Sequence, residues 1–359
     1  MGWAKKFVGF ALAMLLAGPA LAAAGVARTP EENLAALREQ ETRVAIIGDR
    51  LAIAAADAGW CADGHSLGWA LGEVGQYPKA LRFAVRRGWA VPAGANLFVA
   101  AVVPGGAAAE AGITAGTGIY SINGRTPMRN PFETPSSHGR EQSERLIDRL
   151  LAEGPLTLTI AGADGVRREV TLRPRRACKT RFLVAAEDEE QAYADGQNVL
   201  VTAGMARFTN GKDDELAAVI AHELSHNILR HVSRTEESGT PDNYTRYLRR
   251  YLNITRSMEE EADRLSVWLL ARAGYEARAP VQFWEHFGPN HDGAGFYGRT
   301  HDRWQDRVAA IENELAAMAA AKGRDANARP ALLDRRDVVP VPGVRPDISH
   351  PATPQPAGN

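Results

Sequence analysis

The spacing of apolar positions changes character along this chain. Residues 30–58 are rich in Ala, Leu, Glu and Arg and are predicted to be helical. Their start has a physical rationale: Thr29 can cap, Pro30 suits the first helical position, and Glu32 completes a capping box. The glycine-rich stretch 59–75 reads as irregular. From about 97 to 172 the period shortens to that of strands. Residues 97–103 form a continuous apolar run ending at Pro104-Gly105-Gly106, and 107–112 make one helical turn. Residues 119–122 are a strand closed by Asn123-Gly124, 142–151 are helical, and 156–160 and 166–172 alternate around Asp164-Gly165 as a hairpin. Helical spacing returns at Leu216, Val219, Ile220 and Leu224. It is preceded by Asp213, Asp214 and Glu215, where the positive end of the helix dipole favours acids. Just upstream, Val199-Leu200-Val201-Thr202 reads as an edge strand on which an extended substrate could pair.

Composition narrows the class. A chain of 359 residues exceeds the usual size of one core, and its net charge of −1 gives no nucleic-acid footprint. Lys5 and Lys6, an apolar run over 7–17, the Gly18-Pro19 break and Ala20-Leu21-Ala22 predict an export signal cleaved after residues 22–24, with an uncleaved membrane anchor as the alternative. No cysteine follows that run, so a lipid anchor is not expected, and no later segment is apolar enough to span a bilayer. The expected location is periplasmic or secreted. In an oxidising compartment the only two cysteines, Cys61 and Cys178, favour one disulfide over two free thiols. Arg173-Pro174-Arg175-Arg176 reads as a solvated linker, and the proline-containing end from 329 as a disordered tail.

Residues 102–113 (Val-Val-Pro-Gly-Gly-Ala-Ala-Ala-Glu-Ala-Gly-Ile) and 119–125 (Ile-Tyr-Ser-Ile-Asn-Gly-Arg) resemble a PDZ domain of the bacterial protease-associated kind. The resemblance departs at Gly116-Thr117-Gly118, where such domains usually carry Asp, and it identifies no carboxylate-binding loop. It implies capture of unfolded or C-terminal polypeptide segments; a spacer of the same shape that binds nothing is the alternative.

The chemistry lies further on. His222-Glu223-Leu224-Ser225-His226 is H-E-x-x-H: residues four apart share a helix face, so two imidazoles can converge on one ion. Glu223, about 100° round the helix, can reach a metal-activated water without ligating the metal. Glu259 and Asp263, again four apart, supply a third ligand and a carboxylate to orient a ligating histidine, leaving one position open as catalytic zinc requires. His231, nine positions beyond His222, would point to the opposite side of a continuous helix. His65, His138, His286, His291 and His350 lack ligand-like spacing, and Trp268, Trp284 and Trp304 read as core.

Over residues 198–307 the sequence resembles the HtpX-like and CAAX-prenyl-endopeptidase-type zinc peptidases, gluzincins whose third ligand comes from an E-x-x-A-D helix. The resemblance implies His222, His226 and Glu259 as ligands of one Zn2+ per chain, Glu223 as base and Asp263 as orienting partner. Glu261 is the rival third ligand. Thr300-His301 with Arg307 resembles the family's T-H-P…R element, with Asp302 in place of Pro. His301 is then either a donor to the developing oxyanion or an inhibitory fourth ligand; packing near Trp304 is the plain alternative.

The expected organisation is α+β: signal peptide 1–24, helical region 25–78, PDZ-like β-rich domain 79–173, mainly helical gluzincin metallopeptidase with a small edge sheet 174–328, and tail 329–359. The expected function is peptide-bond hydrolysis through a metal-activated water, in envelope protein quality control, on polypeptide substrates and without a membrane span after signal cleavage. An exported PDZ adaptor or chaperone with a latent metal site is the rival class, although such a site has no need of Glu223. A third reading is a protease held closed by His301 or by the loop between His231 and Glu259.

Overall fold

The structure, a computed structural model, describes residues 29–237, 244–291 and 303–335, with the side chains of 236–255 and 335 excepted. The segment expected to be a signal peptide, His301, and residues 336–359 with His350 lie outside the described residues. The fold is α+β, and the chain divides into two compact units. One takes the chain to Asp57 together with Asp63–Ala192 and Leu200–Gly211; the other takes Ala58–Ala62, Tyr193–Val199 and the chain from Lys212 on.

The first unit opens with helix α1, Pro30–Asp57. Its start is a reciprocal capping box: the Glu32 carboxylate accepts from the Thr29 backbone N–H at 2.7 Å, and Thr29 Oγ1 accepts from the Glu32 N–H at 3.2 Å. The stretch read as irregular holds two strands, β1 (Asp63–Ser66) and β2 (Trp69–Glu73). Its glycines hid them: Gly64 and Gly72 lie where a Cβ would strike Lys179 and the Phe98 ring, so they serve close packing rather than turns. Strand β2 leads an antiparallel five-stranded sheet with β3 (Leu97–Val102), β4 (Gly118–Ile122), β5 (Leu156–Ala161) and β6 (Arg167–Leu172), in chain order. Helix α2 (Arg82–Trp89) precedes β3, the short α3 (Ala107–Glu110) joins β3 to β4, and α4 (His138–Glu153) joins β4 to β5.

Strand β3 is apolar throughout because both its faces are covered. Leu97 and Val99 enter a core with Leu146, Ile147 and Leu150 of α4, while Phe98 and Ala100 enter another with Leu34 of α1 and Val85 and Trp89 of α2. The departure at 116–118 has a packing cause. A Cβ on Gly116, whose φ is 92°, would lie 1.7 Å from the Trp89 carbonyl oxygen, and one on Gly118 would lie 2.5 Å from Ala95. No carboxylate side chain fits at either position.

Residues 175–178 are not a linker but strand β7 (Arg175–Cys178), antiparallel to β1. The arginines are solvated as expected, and they are also paired: Arg176 with Asp63 at 2.6 Å and Arg175 with Glu110 at 2.9 Å. Cys61 and Cys178 are both disulfide-bonded. Strands β8 (Arg181–Ala185), β9 (Ala192–Ala194) and β10 (Asn198–Thr202) make a small sheet ordered β8-β10-β9. The segment expected at an edge is therefore central, paired on both sides and closed to an incoming strand. Thr202 then caps α5 (Ala203–Phe208) by accepting from the Met205 N–H.

Glu41 of α1 is an acid with a cost. Its Oε2 is buried without a hydrogen-bond partner among the described residues, and burial pushes the carboxyl from 4.5 up to about 7, opposed by Arg140. A folded-state pKa above the unfolded one means that this group's stabilisation is complete below about pH 4.5 and is lost as pH rises through about 7. Stability is expected to fall between pH 5 and 8 by at most about 3 kcal/mol from this source. Denaturation at both pH values should show Glu41→Gln flattening the profile.

The second unit is helical: α6 (Asp213–Ile228), α7 (His231–Glu237), α8 (Tyr244–Ala273), α9 (Ala279–His291) and α10 (Trp304–Arg324). Leu216, Val219, Ile220 and Leu224 of α6 are buried, with α8 and α9 packed beside that helix. Helix α10 is pinned to α8 through Glu314, which accepts from Arg264 at 2.6 Å and from the Trp268 indole at 2.7 Å. After α10, Leu332 and Leu333 are buried in a short 3-10 turn.

Candidate metal centre

Helices α6 and α8 cross so that His222 and His226 face Glu259. Nε2 of His222 lies 3.1 Å from Nε2 of His226 and 3.3 Å from Glu259 Oε2, and His226 Nε2 lies 3.6 Å from Glu259 Oε1. Ligand atoms about 2.0–2.1 Å from a tetrahedral ion stand roughly 3.3 Å apart, so the two imidazole nitrogens and the Glu259 carboxylate, which meets one histidine through each oxygen, are spaced to share one ion. Among the described residues this is the one group of His, Cys, Asp and Glu side chains found close enough to hold an ion. The three side chains keep 13–16% exposure, which leaves the site a mouth.

The surroundings favour a cation. Asp263 lies one turn beyond Glu259, its Oδ1 2.9 Å from His222 Nδ1, although that nitrogen is off the ideal hydrogen-bond direction. Arg307 of α10 donates to both Asp263 oxygens at 2.7 Å and stands 3.6 Å from Glu259. The face of Trp284 in α9 lies 4.0 Å from the Arg307 guanidinium carbon. Thus a tryptophan read only as core supports the arginine that holds Asp263.

Burial lowers the His222 pKa, but Asp263 and Glu259 outweigh it and raise the imidazole to about 10. The negative potential that holds a proton there would equally hold a metal. Burial, helped by His231, His222 and Arg307 against Glu259, keeps His226 well below the usual histidine range. Burial raises Glu223 to about 7, with Glu259 and Asp263 adding to the rise and His222 and Arg307 opposing it.

His231 stays outside the group that could hold the ion, as expected, but its expected direction fails because the helix ends. Arg230 turns left-handed at φ 57°, α6 stops at Ile228, and His231 starts α7. The ring therefore returns toward His226, nitrogen to nitrogen at 2.8 Å (Nδ1 to Nδ1), while its Nε2 lies 3.1 Å from Glu261 Oε2. Arg234 donates to the same Glu261 oxygen at 2.7 Å. Despite burial, hydrogen bonds from His231 and Arg234 hold Glu261 down at about 2. Glu261 is thus engaged away from the trio. No glycine or proline marks the break, so the sequence carried no stop signal. His286, read as a surface or loop residue, lies in α9 and meets Glu215 at 2.8 Å.

Residues 169–243 and 242–315 match the family model described as Peptidase family M48. Over 131 residues the chain is 26% identical to a beta-barrel assembly-enhancing protease of Yersinia pestis, covering 28% of this chain and 27% of that protein. A protein of the same name from Escherichia coli K12 is 27% identical over 133 residues, 29% of this chain and 27% of its own length. The mitochondrial metalloendopeptidase OMA1 of Schizosaccharomyces pombe is 26% identical over 191 residues, 47% of this chain and 56% of its own length. The chain thus spans between about a quarter and a half of these relatives. The family match and the relatives together support an M48 metallopeptidase in this part of the chain.

Proposed function

We propose that the chain is an exported zinc-dependent endopeptidase of the HtpX-like kind, acting on unfolded or extended polypeptides in envelope protein quality control. The observation that carries this reading is the convergence of His222, His226 and Glu259, whose 3.1–3.6 Å separations suit a shared ion with one side open. Two imidazoles and a carboxylate are a donor set suited to zinc. Bound there, zinc would supply Lewis acidity and bring water acidity toward neutrality. Glu223, beside His222 on the same helix, takes the proton of the attacking water and returns it to the leaving amine. Asp263 orients His222, and Arg307 holds Asp263. His301 is proposed to act at the same site, as a donor or as a removable block.

The export signal and the relatives' printed names, which include a beta-barrel assembly-enhancing protease, support the envelope setting. The PDZ-like reading draws support from the antiparallel sheet with a short helix between β3 and β4 and α4 between β4 and β5. The cleft between β2 and α4 is also lined by Asp49 and Ala52 of α1 and by Thr180, Arg181 and Phe182. Arg181 is paired with Glu144 and Asp148 of α4. A segment captured there would meet residues 180–182 on the cleft wall. Among the described residues no helix is long and apolar enough to cross a membrane.

The test is zinc content and casein cleavage by the purified chain, before and after chelation. One zinc per chain, with cleavage lost on chelation and restored by zinc, is the expected result. Zinc without cleavage, relieved by His301→Ala, would identify a gated enzyme. Zinc with no activity in either form would favour the adaptor.

A further inference from the structure

We propose that His231 is a positioning residue for the metal site, acting with Glu261 and Arg234 to fix the tautomer and ring orientation of His226. This rests on the reading of His222, His226 and Glu259 as metal ligands. Each histidine of that trio has a polar neighbour close to its second nitrogen, but of a different kind. Nδ1 of His222 faces Asp263 directly, and Arg307 holds that carboxylate. Among the described residues Nδ1 of His226 faces no carboxylate; it meets Nδ1 of His231 at 2.8 Å. The carboxylate lies one ring further on, Glu261 at 3.1 Å from His231 Nε2, and Arg234 holds it at 2.7 Å.

The proton positions follow from donor counting. A neutral imidazole has one N–H and one lone pair. Glu261, already accepting from Arg234, offers only acceptors, so His231 carries its proton on Nε2 and presents a bare Nδ1. Two bare nitrogens 2.8 Å apart would repel, so His226 Nδ1 is the donor. His226 Nε2 is then left with a lone pair, and Nε2 is the atom facing His222 and Glu259. His231, Arg234 and Glu261 are 3%, 3% and 1% exposed, so solvent does not compete for these bonds. Remote partners of ligating histidines typically alter metal affinity by about 10–100-fold.

The experiment is competition for zinc between a chromophoric chelator and the full chain, for wild type, His231→Leu and His231→Asn, with thermal melts and the visible spectrum of the cobalt form alongside. His231→Leu leaves the Glu261–Arg234 pair in place but removes the acceptor for His226. Asn can put its carbonyl oxygen near the position of Nδ1. The expected result is about a 10–100-fold weaker zinc affinity for Leu, an altered cobalt spectrum, and recovery of most of the affinity by Asn. Unchanged affinity in the Leu variant would overturn the proposal. So would equal losses in both variants that merely track lowered melting temperatures. If Leu does not fold, Asn decides alone: wild-type affinity and cobalt spectrum support the relay, and a full loss in a folded Asn protein overturns it. A wild type that binds no zinc would instead fail the metal reading itself.

Discussion

Glu223→Gln is expected to keep one zinc per chain and to lose casein hydrolysis by about 10²–10⁴-fold, the usual range for a general acid–base group. Glutamine preserves the shape and the hydrogen-bonding reach of the side chain but cannot take a proton. The three side chains proposed to hold the ion, His222, His226 and Glu259, are untouched, so zinc content separates loss of the base from loss of the site. Burial with the neighbouring Glu259 and Asp263 places this carboxyl, at about 7, among groups able both to accept and to return a proton near neutrality. Metal analysis and turnover on the same preparation check the result. Hydrolysis retained at full zinc occupancy would remove Glu223 from the role of base.

Asp263→Ala should be costly in a different way. Asp263 and Arg307 are 3% and 6% exposed and joined by two 2.7 Å hydrogen bonds. Removing the acid strands a buried guanidinium, leaving Glu259 at 3.6 Å as the nearest carboxylate at the site. Breaking such a pair typically costs about 3–5 kcal/mol. The substitution also frees the His222 ring, so zinc affinity should weaken together with stability. Denaturant unfolding with and without chelator would separate the two effects. A double variant, Asp263→Leu with Arg307→Met, should recover stability but not zinc affinity, because it replaces the buried charges with packing yet restores no partner for His222. A change below about 1 kcal/mol in Asp263→Ala would show that the pair is not a structural anchor.

Much of the local structure was legible because it depends on neighbours in sequence. The capping box at Thr29 and Glu32, the acids opening α6 and its Leu216–Leu224 stripe, and the β5–β6 hairpin at Asp164-Gly165 all act within a few residues. The double-sided apolar run of β3 announced a strand but not which cores it joins. The reading failed where chemistry and geometry diverge. Gly64 and Gly72 suggested looseness but serve close packing, and a run of arginines suggested a linker but forms a strand whose exposed side chains have acidic partners.

The sequence by itself determined the positions four apart that can share one ion or one helix face, since 3.6 residues per turn puts His222 beside His226 and Glu259 beside Asp263 whatever the remaining chain does. It could not determine what stands opposite. That Glu259 faces the histidines while Glu261 turns to Arg234, and that Arg307 lies against both Trp284 and Asp263, depends on how α6, α8, α9 and α10 pack. The return of His231 toward His226 depends on a left-handed residue, Arg230, which no local preference signals. Contacts between distant segments arise from burying side chains jointly, and only the tertiary structure decides them.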